Sequence, residues 1–116
     1  MIVDALLQGF LGLAFLPTGA SKLIGVHQSQ ALRDRLHITP WFWKCTGAIE
    51  VIGGAALLAG FWLPKLTLGG TVLLGLTMIG AVLTHLTRRD SLKNMSGALL
   101  LLFFIVVFIV LHRSAF

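Results

Sequence analysis

One acidic residue, Glu50, lies deep within an apolar stretch of the sequence. It stands nine residues into the stretch 41–62, and at a rise of about 1.5 Å per residue it lies roughly 13 Å below the membrane surface, close to mid-membrane. A carboxylate at that depth is costly and is expected to face other groups inside a helix bundle. Gly47 and Gly54 flank it on one helix face, where glycine lets a second helix approach. Glu50 is therefore a candidate for ligand binding or proton relay. The alternative is a neutral Glu50 that bonds a backbone carbonyl and fixes packing.

Two further polar residues, Gln8 and Lys22, belong to the first apolar stretch. They share one helix face, because spacings of four, three, four and three residues connect Gln8, Gly12, Phe15, Gly19 and Lys22. The Lys22 ammonium is predicted to lie about one turn inside the membrane surface, from which it reaches either inward to Glu50 or outward to lipid headgroups. Both residues join Glu50 as candidates for ligand binding or proton relay.

His85 lies within the third apolar stretch, about one turn from the end of that stretch. It is the fourth candidate, because histidine exchanges protons near neutral pH, and a histidine that bonds headgroups is the alternative. His27, His37 and His112 lie in a loop or at the opposite side, which argues against a bis-histidine haem. One acid and one histidine at different depths supply too few ligands for a metal, and the single Cys45 excludes an internal disulfide. The sequence thus predicts no metal site and leaves the cofactor open, with a quinone as a possibility.

The elements that position these residues are four apolar stretches long enough to cross a bilayer. The chain has 116 residues, of which 57% are apolar and 11% charged, against about 25% charged in soluble domains. The sequence predicts an all-α, integral membrane four-helix bundle that forms a single transmembrane domain over 1–116, in contact with membrane lipids. Its predicted spans are 2–23, 41–62, 66–86 and 95–111. The first lacks a basic leader segment and a small-residue cleavage site, so it is expected to remain as a span.

Basic residues collect on one side of the predicted bundle. The side with the first and third connections carries Lys22, Arg33, Arg35, Lys44, Arg88, Arg89 and Lys93. The other side carries Lys65 and Arg113. The positive-inside rule therefore predicts that both termini lie on the non-cytoplasmic side. This bias also accounts for the net charge of +5, and no nucleic-acid partner is expected.

Three motifs keep their order and spacing across nearly the whole chain. They are TGASKLIG at 18–25, GAIEVIGG at 47–54 and MIGAVLTH at 78–85. Together they resemble the DoxX-like family of small four-helix membrane proteins, although Asp4 and Gln8 stand near the place of the family's first-helix arginine. The resemblance implies a compact bundle in a bacterial inner (plasma) membrane. It also implies an association with quinone-linked or thiol-linked oxidoreductase systems, in a family where related proteins act as assembly chaperones.

Three functions remain open from the sequence. The first is a small membrane component of a redox system, whose polar pocket around Glu50 holds a quinone-like ligand. The second is a non-catalytic subunit or assembly factor of a larger membrane complex. The chain is expected to assemble either into such a complex or into a homo-oligomer. The third is a proton-coupled small-molecule exporter of the small multidrug resistance type, although the acid of those exporters belongs to the first helix. Whether the chain is an enzyme is left open.

Overall fold

The computed structural model describes residues 2–116, apart from the side chain of Asn94. These described residues form five α-helices: α1 (Ile2–Ile24), α2 (His27–Arg35), α3 (Pro40–Ala59), α4 (Pro64–Thr87) and α5 (Leu92–His112). A short 3₁₀ turn, Arg113–Ala115, follows α5. Four segments are long and apolar enough to cross a membrane: Ile2–Ile24, Pro40–Ala59, Pro64–Thr87 and Met95–Ala115. The predicted all-α membrane bundle with four spans is confirmed.

Proline and glycine set several helix ends. Pro40 and Pro64 stand at the first positions of α3 and α4, where the missing N–H costs no helical hydrogen bond. Gly25 follows α1 with φ of +84°, a conformation that glycine adopts without strain and that turns the chain toward α2. The helix α3 ends at Ala59, before the end of the predicted span 41–62, and a tight turn leads from there into α4.

The helix α2 was not predicted, because its nine residues are mostly polar and lack a clear apolar stripe. Contacts with the rest of the protein hold it. Ser29 Oγ accepts a hydrogen bond of 2.8 Å from Trp43 Nε1 on α3. Arg35 Nε lies 3.4 Å from Asp90 Oδ2 in the α4–α5 turn. Short polar helices are marginal alone, so these tertiary contacts explain why this connection is helical.

The bundle has two ends, which we name for what they carry. The basic end holds α2 and the α4–α5 turn, and the terminal end holds both chain termini and the α3–α4 turn. A central core lies between them, and its residues on α3 and α5 extend toward the terminal end. This central core consists of Leu11, Phe15, Leu57, Leu74, Met78, Ile105 and Phe108.

Candidate functional site

Lys22 and Glu50 meet inside the bundle near the basic end. Lys22 Nζ lies 2.5 Å from Glu50 Oε2, and the side chains are 15% and 2% exposed. The contact depends on a close crossing of α1 and α3. A Cβ on Gly19 would lie 2.5 Å from the carbonyl oxygen of Gly47, so only glycine permits this approach of the two backbones. The crossing brings the last turn of α1 beside the middle of α3.

Trp43 lies directly beside this ion pair. Its ring centroid is 4.5 Å from Lys22 Nζ, within the range of a cation–π interaction. Its indole N–H donates the hydrogen bond to Ser29 Oγ on α2. Trp43 was not among the predicted site residues, since a tryptophan near a helix start is typical of the membrane interface. Its position seven residues before Glu50, on the same helix face, was the available signal.

A cavity of about 710 Å³ opens beside the ion pair. Its walls come from all five α-helices and are mostly apolar, with Leu32, Met78 and Leu101 among them. Two of its lining residues, Phe42 and Leu76, are 54% and 65% exposed on the outer surface of α3 and α4. The volume falls within the range of small-molecule sites, and the cavity reaches the outer surface at these two residues.

His85 lines the same cavity from α4 and is buried. Its Nδ1 lies 2.7 Å from Asp90 Oδ2, and Asp90 also contacts Arg35 on α2. Arg88 Nε donates a hydrogen bond of 3.0 Å to the carbonyl oxygen of Leu36, just after α2. These contacts connect α4, which forms one wall of the cavity, to α2, which lies over the basic end of the cavity and forms its cover.

Gln8 lies toward the terminal end, away from this cavity. Its Nε2 donates hydrogen bonds to the carbonyl oxygen of Leu57, at 2.7 Å, and to Thr67 Oγ1, at 3.1 Å. It lines a second cavity of about 420 Å³, which Asp4 and His112 also line. Asp4 Oδ2 is 2.8 Å from His112 Nδ1. Gln8 therefore connects α1 with α3 and α4 toward the terminal end, away from Glu50.

The comparisons with known proteins identify the family. The DoxX-like family matches residues 6–108. The chain belongs to this family. No curated protein and no solved structure matches it significantly.

Of the four candidates that the sequence provides in this DoxX-like chain, three surround one cavity. Lys22 and Glu50 are in contact, and His85 stands on the opposing wall formed by α4. Gln8 is the exception. In the part of the chain that the structure describes, no three His, Cys, Asp or Glu side chains gather into a group that could hold a metal. Lys22, Glu50 and His85 each bring an ionisable group to the lining of the larger cavity.

Proposed function

We propose that this DoxX-like protein is a small membrane component of a quinone-linked redox system, and that its larger cavity binds a quinone-like ligand. One observation carries the proposal. A buried ion pair, Lys22 with Glu50, borders a mostly apolar cavity of about 710 Å³. Ionisable groups at such depth are expensive and are kept mainly for function. Membership of the DoxX-like family supports the redox association.

The charges of the site favour an uncharged ligand head. Lys22 and Glu50 neutralise each other, so a ligand with a net charge would add an uncompensated charge to a largely apolar space. A quinone head is uncharged and carries two carbonyl oxygens that accept hydrogen bonds. The three donors of the Lys22 ammonium suit such an acceptor. Met78 and Leu101 suit the apolar ring and tail, and the exposed Phe42 and Leu76 provide a route to the lipid.

Proton transfer is the chemistry that these residues would supply. Reduction of a quinone to a quinol takes up two electrons and two protons. Glu50 and His85 are the proposed proton carriers, with His85 nearer the basic end and Glu50 deeper. The electrons would come from a redox partner in a larger membrane complex. In this proposal the chain lies in a bacterial inner membrane with its basic end toward the cytoplasm.

The substitution Glu50→Gln tests the proposed function. It keeps the size of the side chain and removes its charge and its proton. In purified protein in mild detergent, we expect decylubiquinone to bind about tenfold more weakly, the loss of one charge-assisted contact. Asp4→Asn is the matched control, because it removes an acid that lines the other cavity, and it should leave the affinity unchanged.

The outcomes separate the proposed function from the subunit hypothesis. If wild type and Glu50→Gln bind decylubiquinone equally on matched folded samples, the pocket is no quinone site. Glu50 would then serve packing, and its loss would appear as a lower unfolding temperature. A non-catalytic subunit or assembly factor would be the better interpretation.

Proton-coupled export is a second candidate, and one observation favours it. Cavities that ionisable side chains border lie toward both ends of the bundle, with the central core between them. An exporter needs such access from either side. Proteoliposomes with an imposed pH gradient test this function. Efflux of a cationic dye that stops in Glu50→Gln would favour export, and equal efflux from empty liposomes would exclude it for that dye.

A further inference from the structure

The helix α2 closes the basic end of the larger cavity. Gln28, Ser29 and Leu32 of α2 line the cavity, and Leu36 follows them. Polar contacts of several side chains help to hold this cover to the bundle. Arg35 with Asp90 and Arg88 with the Leu36 carbonyl attach its C-terminal side. At its N-terminal side, the buried bond from Trp43 to Ser29 ties it to α3.

Trp43 is the residue that touches both the cover and the ion pair. One face of its ring lies against the Lys22 ammonium, while its N–H bonds Ser29 on α2. A buried indole N–H needs a partner, so the position of α2 and the orientation of the ring depend on each other. The ring orientation in turn sets the room available to Lys22 beside Glu50.

We propose that Trp43 is a positioning residue, which holds α2 closed over the cavity through Ser29 and holds Lys22 against Glu50 through its ring. The importance of this role for ligand binding rests on the proposed function. The two contacts of Trp43 belong to the protein without ligand. Opening of the cover and freedom of Lys22 are both measurable in that state, so the test does not require a quinone.

The first measurement is access to the cavity. Ala81 lines it from α4, and Ala81→Cys in a Cys45→Ala background places one thiol there. In liposomes, lipid covers the opening at Phe42 and Leu76, so a charged, water-soluble maleimide then reports how often the cover opens. Ser29→Ala should speed labelling about fivefold, the typical effect of one lost hydrogen bond. Trp43→Phe should speed labelling to a similar degree. The double variant should label no faster than the faster single variant, because both substitutions remove the same hydrogen bond.

Two α2 variants control this measurement. Arg33→Ala removes a side chain whose hydrogen bonds go to the neighbouring Asp34, so labelling should match the parent. Ser29→Thr keeps a hydroxyl and should restore slow labelling. Unfolding temperatures identify variants that are merely destabilised. Labelling in Ser29→Ala at the parent rate, with an unchanged unfolding temperature, would overturn the role of Trp43 as the attachment of α2.

The second measurement is the reactivity of Lys22. A water-soluble amine reagent, quantified by mass spectrometry, reports its freedom, and the ratio to thiol labelling corrects for opening of the cover. Trp43→Phe keeps an aromatic face and should leave this ratio unchanged. Trp43→Leu removes the face and should raise the ratio about threefold, as expected for a lost cation–π contact. An equal ratio in both variants would overturn the ring's role in positioning Lys22.

The two proposals fail in different ways. If wild type binds no decylubiquinone, the proposed function fails, and the ligand-free labelling still decides whether Trp43 holds the cover and Lys22. If wild type binds decylubiquinone but labelling is the same in Ser29→Ala and the parent, the site stands and the positioning role of Trp43 is wrong.

Discussion

Each end of the bundle holds a histidine beside an aspartate at nearly the same distance. At the basic end His85 Nδ1 is 2.7 Å from Asp90 Oδ2, and at the terminal end His112 Nδ1 is 2.8 Å from Asp4 Oδ2. Their surroundings differ. His85 borders the larger cavity, of about 710 Å³, while Asp4 and His112 border the smaller one, of about 420 Å³.

The remaining polar groups sharpen this contrast. At the terminal end, the Gln8 amide donates hydrogen bonds to Leu57 and Thr67, and these bonds connect three helices. At the basic end, Lys22 and Glu50 contact each other along the edge of open space. Buried polar groups can therefore hold a membrane bundle together or border a cavity. The partners of each group, rather than its type, distinguish the two uses.

The strongest way to break this contrast is to separate α1 from α3 at the basic end. Gly19→Leu would place a Cβ 2.5 Å from the Gly47 carbonyl oxygen and 2.8 Å from Val51 Cγ2. A backbone atom cannot yield as a side chain does, so we expect the free energy of unfolding to fall by about 3 kcal/mol or more. Decylubiquinone binding should be lost as well, because Lys22 moves away from Glu50. Unfolding in mixed micelles with increasing SDS measures the first effect.

Gly69→Leu is the matched control for that prediction, since a Cβ there would meet none of the described atoms within 4 Å beyond its chain neighbours and the backbone of its own helix. It should unfold close to the wild-type midpoint. If Gly19→Leu and Gly69→Leu unfolded alike, the close crossing of α1 and α3 would not be what brings the ion pair together.

A smaller effect sharpens the contrast from the terminal end. Gln8→Leu keeps a similar volume and removes the bonds to Leu57 and Thr67. Hydrogen bonds between membrane helices contribute modestly, so the free energy of unfolding should fall by about 1 kcal/mol. Decylubiquinone affinity should stay at the wild-type value. The same SDS titration and a binding titration give both numbers.

Glu50→Gln is the counterpart to Gln8→Leu, because its main expected effect is a loss of decylubiquinone affinity. The contrast between the two ends predicts opposite profiles for Gln8→Leu and Glu50→Gln. A loss of quinone affinity in Gln8→Leu without a loss of stability would contradict that assignment and would return Gln8 to the site.

The fold was largely predictable, because the length of an apolar stretch fixes a membrane span. The predicted spans 2–23 and 66–86 lie close to the helices Ile2–Ile24 and Pro64–Thr87. The connection before α3 was not predictable in the same way, since its helix depends on partners such as Trp43 and Asp90 that are distant in sequence. The orientation of the bundle stays a prediction.

The candidate site was predictable in part. Gly47 beside Glu50 indicated a close helix, and α1 is that helix. The shared stripe of Gln8 and Lys22 gave their direction around α1, but fourteen residues of helix separate them by roughly 21 Å along its axis, so one stripe does not make one site. Which atoms meet Gln8 depends on the vertical register between helices, which one chain's pattern does not contain. The roles of Glu50, Lys22, His85 and Gln8 stay predictions.

The smallest expected effect compares the two histidines directly. His85→Gln and His112→Gln each replace the ring with an amide that can still donate to the aspartate, so both pairs keep a hydrogen bond. His85 borders the larger cavity, and we expect His85→Gln to weaken decylubiquinone binding about threefold, equivalent to about 0.7 kcal/mol. This loss should be milder than that of Glu50→Gln, because water near the basic end can take the place of a shallow proton carrier.

His112→Gln serves as the matched control, and its decylubiquinone affinity should equal that of wild type. The ring of His112 stacks on Phe108 with centroids 4.9 Å apart, so its loss should lower the unfolding midpoint slightly without reaching the larger cavity. Titrations of both variants at one pH, on samples with matched unfolding profiles, measure the difference. Equal affinities for His85→Gln and His112→Gln would mean that the wall position of His85 contributes nothing to binding. The proposed proton path would then depend on Glu50 and on water that enters beneath α2.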